Sequence, residues 1–132
     1  MEFHKDKAVI SQKAIITRND GKILMLQRHA DDMSRPDGWD FPGGALEDTE
    51  EPTEGIKREV QEETGLPIKN IVLLEARSIA LHDGCWSVLL TYSATVDVTD
   101  VVISHEHQEY TWVTKNELLR MDIPDRYKKA IK

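Results

Sequence analysis

The segment from Gly43 to Leu66, GGALEDTEEPTEGIKREVQEETGL, constrains the chain most tightly, because it carries helix signals at both ends and an unusual load of carboxylates. Pro52 suits the first turn of a helix, where its missing N–H removes no intrahelical bond, and Gly65 followed by Pro67 stops the helix sharply. The spacing therefore predicts a helix over Pro52 to Thr64. Glu51 is a weak cap and Gly55 lowers the intrinsic propensity, so packing must hold the segment, and Ile56 and Val60 supply an apolar side for a sheet. Successive side chains advance by about 100° around a helix, which puts Glu59, Glu62 and Glu63 within an arc of roughly 100° beside that apolar side.

Carboxylates this close repel one another unless a cation compensates. A hard divalent ion meets that need: Mg2+ prefers oxygen ligands and joins protein carboxylates to phosphates, and Mn2+ is a second candidate. The competing reading is a solvated acidic face, since Glu50, Glu51 and Glu54 spread acidity around the helix. Arg58 lies four residues after Glu54 and four before Glu62, and Glu50 can meet it by chain return. Arg58 is thus expected to brace a carboxylate from behind rather than sit among the ligands.

Around this segment the pattern is strand-rich. Val9 to Thr17 and Lys22 to Arg28 are apolar runs joined through Asp20-Gly21, a hairpin signal. Ala30 to Asp40 reads as a polar loop, with Trp39 and Phe41 either anchoring it or lining a pocket; burial makes anchoring the better reading. Asn70 to Ala80 and Trp86 to Val96 are further strands separated by His82, Asp83 and Gly84, and the second is expected to be buried on more than one face. Glu109 to Val113 adds a short strand. Thr114 and Glu117 form a capping box for a short helix through Leu118 and Leu119, whereas Lys128 to Lys132 is too short and charged for a separate element. Helices covering a mixed sheet in an α/β layer fold follow, and the 132 residues suit one domain over 1–132. GGALED matches neither the Rossmann glycine turn nor a Walker A loop.

A net charge of −7 disfavours a broad face for polymeric nucleic acid, yet leaves a small phosphorylated substrate open, because a bound cation reverses the local field. Cys85 is the single cysteine, expected in or beside the core, which rules out an intrachain disulfide. With no signal-like start and no apolar run of membrane-spanning length, a cytoplasmic setting without membrane attachment is expected. Homodimerisation through an exposed sheet edge is compatible with the chain, which identifies no symmetric contact.

Taken together, Gly44, five residues to Glu50, seven to Arg58, then Glu59, Val60, Glu62, Glu63, Gly65 and Leu66 resemble the signature of the Nudix hydrolase family, with every fixed position and gap present. The two-strand lead, the WDFPGG approach and the later YTWV strand extend the resemblance over nearly the whole chain. It implies a Nudix-like α/β/α sandwich, with a mixed sheet, that cleaves a nucleoside diphosphate linked to another group. It further implies Glu59, Glu62 and Glu63 as metal-binding side chains, the Gly43 carbonyl as a further ligand, and Glu50 and Arg58 as bracing groups. Gly55 departs from the alanine often found in related helices, leaving local packing open. For the proton acceptor, Glu62 and Glu63 stand within the motif and Glu106 in the HEHQE loop; Glu62 needs no loop closure and is preferred. The compact chain is most similar to mutator-type nucleoside triphosphate pyrophosphohydrolases, with ADP-ribose, nucleotide sugars or dinucleoside polyphosphates as alternatives, and a non-catalytic nucleotide-binding protein as a further one. Arg28 and Arg35 are candidates for phosphate contact, and Trp39, Trp86 and Tyr110 for stacking on a base; Trp112 reads as a core anchor. His105 and His107 read as loop or surface groups rather than a zinc pair, since no third strong ligand is evident.

Overall fold

The computed structural model describes residues 8–80 and 85–131, so the expected turn at His82 to Gly84 lies outside the described residues. In chain order the elements are β1 (Ala8–Thr17), β2 (Ile23–Arg28), β3 (Trp39–Asp40), β4 (Gly43–Ala45), α1 (Pro52–Thr64), β5 (Lys69–Ala80), β6 (Trp86–Thr95), β7 (His107–Val113), α2 (Lys115–Leu119) and α3 (Asp125–Ala130).

β1 runs parallel to β6 from Ala8↔Trp86 to Thr17↔Thr95, while β5 pairs antiparallel with β6 and β7 antiparallel with β2, so the sheet is mixed. The Asp20-Gly21 turn forms as expected, with Gly21 at φ 86 and the Arg18 N–H donating to the Lys22 carbonyl at 3.0 Å. The register of β1 with β2 contains only Thr17↔Ile23, and beyond that pair the strands part. β6 and β7 occupy their outer edges, so the inner edges are open to β3, which pairs with β2 at Leu26↔Asp40 and Gln27↔Trp39, and to β4, which pairs with β1 at Lys13↔Gly43. Residues 39–45 thus fill a wedge between the two strands. The sequence pattern assigned the start of this stretch, Trp39 and Asp40, to a loop; its strands are two and three residues long and exist only through these tertiary partners.

Alternation within β1 and β2 feeds two cores. Ala14, Ile16, Leu24 and Leu26 face Ile56 and Val60 of α1, whereas Ile15, Ile23 and Met25 face Leu118, Ile123 and Tyr127. Helices therefore cover both sides of the mixed sheet, an α/β/α sandwich. Trp112 packs against the first core as an anchor, and Cys85 is half-buried. β6 sends Tyr92 and Ala94 to the first core and Leu89 to the second, which explains its imperfect alternation. α1 keeps its expected bounds without a side-chain N-cap bond and ends at left-handed Gly65. α2 carries both bonds of its capping box. The short α3 corrects the reading of the C-terminal stretch: it is held from outside, by buried Tyr127 stacking 5.0 Å from Phe41.

Gly55 is explained by close packing. A Cβ there would lie 2.5 Å from Leu46 Cδ1, 2.8 Å from Gln12 Oε1 and 2.9 Å from Glu50 Oε1. Gln12 is fully buried and donates to the Pro52 carbonyl and the Tyr92 hydroxyl, both at 2.8 Å, while Glu50 is held by Arg58. Alanine at an open helix position would gain about 1 kcal/mol over glycine. Here Gly55→Ala is expected to lower stability by about 1 to 2 kcal/mol, because the overpacking outweighs that gain; thermal unfolding of the variant measures it.

Candidate active site in the strand wedge

The wedge brings a backbone amide to the end of α1. Gly43 donates its N–H to Glu63 Oε1 at 2.8 Å, and Glu63 is only 4% exposed. At φ 153 Gly43 adopts a backbone that side chains disfavour, and a Cβ would lie 1.9 Å from the Gln12 carbonyl oxygen. Gly44 is packed against Glu59, whose Oε2 would be 2.5 Å from an added Cβ.

Arg58 meets Glu50 as chain return suggested, but it also reaches Glu59 and Glu62, two of the expected ligands. Its Nε and Nη2 donate to Glu50 at 2.7 and 3.0 Å, a bidentate pair, and Nη1 reaches Glu62 at 3.3 Å and Glu59 at 3.1 Å. Glu54 lies instead within 4.0 Å of Lys57. The Glu62 side chain is 58% exposed, facing solvent beside Arg58.

Against Glu63 opens a cavity of about 260 Å³, lined also by Lys13, Arg28, Asp32, Asp40, Glu106 and His107. Asp40 is buried and paired with Lys13 Nζ at 3.2 Å and Arg28 Nη1 at 3.3 Å. Burial alone would push the Asp40 carboxyl up, but Lys13, a Tyr127 hydrogen bond and Arg28 outweigh it and hold the carboxyl below its usual range. The Lys13 ammonium, opposed by burial, is held above its usual value by Asp40, Tyr127 and Glu63. Arg28 Nε also lies 3.1 Å from Asp32 Oδ2, close enough for an ion pair though not aligned as a hydrogen bond. A second cavity of about 200 Å³ shares Lys13, Arg28 and Asp40 and continues to Leu89, Arg126 and Tyr127. Larger hollows of about 420 and 440 Å³ lie beside Leu46 to Glu50 and beside Pro67 and Ile68. Size does not mark the site; converging charged groups with displaced protonation do.

Burial drives the Glu63 carboxyl up to about 8, against the Gly43 N–H and Lys13, and a hydrogen bond shared with Glu106 raises it further. Burial likewise raises Glu59, opposed by Arg58, and lowers His107, helped by Lys13. Among the described residues, Glu63, Glu106 and His107 each offer one ligand atom, all within 4.8 Å of one another. His107 Nδ1 is buried without a hydrogen-bond partner. Two carboxylates and an imidazole with an orphaned nitrogen fit a divalent cation.

Not every candidate named from the sequence reaches this cleft. Arg28 lines both cavities. Arg35 turns its Nη2 to the carbonyls of Trp39 and Asp122, at 2.7 and 3.4 Å, and lines neither. Trp39 packs against the second core, Tyr110 against the first, and Trp86 sits 47% exposed at the start of β6. Glu59 and Glu62 lie outside the converging group. His105 and His107 do not converge on a common ion: His105 is exposed and its carbonyl accepts from His29 Nε2 at 2.6 Å, whereas His107 opens β7 inside the cleft. Sequence reasoning passed over Lys13 and Asp40, and read His107 as a loop or surface group. Lys13 had a signal, a charge interrupting an aliphatic strand, and Asp40 stands within WDFPGG.

The family model described as NUDIX domain matches residues 8–132. The chain belongs to the Nudix hydrolase family. It is 30% identical over 117 residues to the CTP pyrophosphohydrolase of Escherichia coli (strain K12), a match covering 85% of this chain and 81% of that one. It is 26% identical over 130 residues to the nucleoside triphosphatase NudI of Escherichia coli O17:K52:H18 (strain UMN026 / ExPEC), covering 89% of this chain and 90% of that one. The crystal structure of the MutT protein from Methanosarcina mazei Go1 superposes with a TM-score of 0.79 at 30% identity, covering 93% of this chain and 89% of that one. As a MutT-like Nudix enzyme the protein is a pyrophosphohydrolase that hydrolyses a nucleotide diphosphate linkage, and the Nudix signature with the Glu63, Glu106 and His107 cluster points to a divalent-metal requirement. Among the described residues no helix is long and apolar enough to cross a membrane.

The raised Glu63 pKa has a defined sign in the metal-free protein. Folded Glu63 keeps its proton to about 8 while the unfolded group loses it near 4.5, so stability present below pH 4.5 is lost as pH rises through 8. Each unit of displacement corresponds to about 1.4 kcal/mol. In the presence of chelator, Glu63→Gln is expected to unfold at nearly the wild-type temperature at pH 4.5 and at a higher one at pH 8; calorimetry at both pH values measures the difference.

Proposed function

We propose that the protein hydrolyses a nucleoside triphosphate, releasing a nucleoside monophosphate and pyrophosphate. The observation that carries this reading is that two cavities share Lys13, Arg28 and Asp40 as a wall: one is acidic at Glu63 and Glu106, and the other is lined by Leu89 and Tyr127. A polyphosphate would lie beside Lys13 and Arg28, with Glu63 holding the cation that neutralises it, and a base would enter the part beside Tyr127. The similarity to a CTP pyrophosphohydrolase and a nucleoside triphosphatase supports a triphosphate over ADP-ribose, a nucleotide sugar or a dinucleoside polyphosphate.

In this reading Glu59 and Glu63, with the Gly43 carbonyl, hold Mg2+ or Mn2+, and Glu50 with Arg58 fixes the helix that presents them. A divalent cation held there supplies neutralisation of phosphate charge and Lewis acidity at phosphorus. Arg28 contacts phosphate from the junction of the cavities. Glu106 accepts the proton of the attacking water, because it is exposed at the mouth of the cleft; Glu62, preferred on spacing alone, faces solvent beside Arg58. Asp40 keeps Lys13 charged and in place. Arg35, Trp39 and Trp86 receive no substrate role, since none lines either cavity.

The test is a panel of ordinary and oxidised nucleoside triphosphates, ADP-ribose and dinucleoside polyphosphates, assayed with Mg2+ and with Mn2+ and with products identified by mass. Monophosphate and pyrophosphate from a triphosphate are expected. Glu63→Gln should lower kcat/KM by about 100-fold or more, while Trp86→Ala stays within about two-fold. Turnover confined to ADP-ribose or a dinucleoside polyphosphate, or none at all, would overturn the substrate assignment.

A further inference from the structure

We propose that His107 is itself a ligand of the cation held by Glu63, and that this nitrogen donor shifts the site from Mg2+ toward first-row transition ions. The inference rests on the metal reading given above and sharpens it.

His107 is fixed by backbone rather than by its own ring. It opens β7 opposite Arg28, where the register of β2 with β7 shifts, and its N–H donates to the Ser104 carbonyl at 3.3 Å. The ring is thereby carried into the cleft, where Nδ1 is buried with no hydrogen-bond partner. A buried polar atom left without a protein partner is costly, so a water or an ion in the cleft is the partner open to it. The neighbours restrict what that is. Glu63 and Glu106 each bring a carboxylate oxygen within 4.8 Å of the ring's ligand atom, a setting that repels an anion and attracts a cation.

The donor set has a chemical consequence. Mg2+ demands oxygen ligands and keeps several waters, whereas imidazole suits transition ions and strengthens their binding along the series from Mn2+ through Co2+. A site made only of carboxylates and a carbonyl would lack that discrimination. His107 therefore acts as a selectivity group, placed on the strand that follows the Glu106 turn rather than on α1.

The experiment compares wild-type protein, His107→Asn and Glu63→Gln, each shown folded by circular dichroism. Pulsed electron paramagnetic resonance on the Mn2+-loaded proteins, unlabelled and labelled with 15N-histidine, reads a directly bound ring nitrogen. Calorimetric titration reads the affinities for Co2+ and Mg2+. Wild type is expected to show nitrogen coupling that His107→Asn lacks, and His107→Asn to lose about 10-fold or more of Co2+ affinity with Mg2+ affinity little changed. Wild-type binding without nitrogen coupling, or an unchanged Co2+ to Mg2+ ratio in His107→Asn, would overturn the role of His107 alone. Full Co2+ and Mg2+ affinity in Glu63→Gln would instead overturn the metal reading beneath it.

Discussion

The site depends on the separation of β1 from β2. The two strands share a single register pair beside the Asp20-Gly21 turn and then part, because their outer edges are committed to β6 and β7 and their inner edges to the segment from Trp39 to Ala45. That inserted segment places a backbone N–H against Glu63 and a carboxylate against Lys13 and Arg28. Gly43 makes the insertion sterically feasible: a Cβ there would lie 1.9 Å from the Gln12 carbonyl oxygen, so there is no room for a side chain. Two short strands thus convert a sandwich of ordinary packing into a cleft with fixed polar groups.

Electrostatics in the cleft follow from burial. A carboxylate in an apolar surrounding is raised toward neutrality unless a positive group compensates it, and the wedge applies both outcomes within one cavity. Lys13, a Tyr127 hydrogen bond and Arg28 hold Asp40 low, whereas burial raises Glu63 against the Gly43 N–H and Lys13, and a hydrogen bond with Glu106 adds to the rise. The cleft therefore holds a satisfied pair beside an unsatisfied one. Glu63 and Glu106, together with the orphaned His107 nitrogen, offer ligand atoms that fit a cation.

Much of this was legible along the chain, where the physics is local. Pro52 and Gly65 bounded α1, Thr114 and Glu117 capped α2, and Ile56 and Val60 identified the buried side of α1. The Arg58 to Glu50 contact followed from helix spacing and chain return. Groups joined only by tertiary structure were not legible. β3 and β4 have no period of their own, α3 depends on Tyr127 meeting Phe41, and Lys13 finds Asp40 across 27 residues. Residue type does not give placement: Arg35 donates to backbone carbonyls, while His107, grouped with His105 by sequence, lines the cleft.

The central claim is the position of the catalytic cation, and anomalous diffraction tests it most directly. Crystals grown with Mn2+ and a slowly hydrolysed triphosphate analogue should show the ion at Glu63 in the cleft, beside Glu106 and His107, with phosphate oxygens directed to Arg28. An ion found instead on the solvent side of α1 at Glu54 and Glu62, with the cleft unoccupied, would contradict the account.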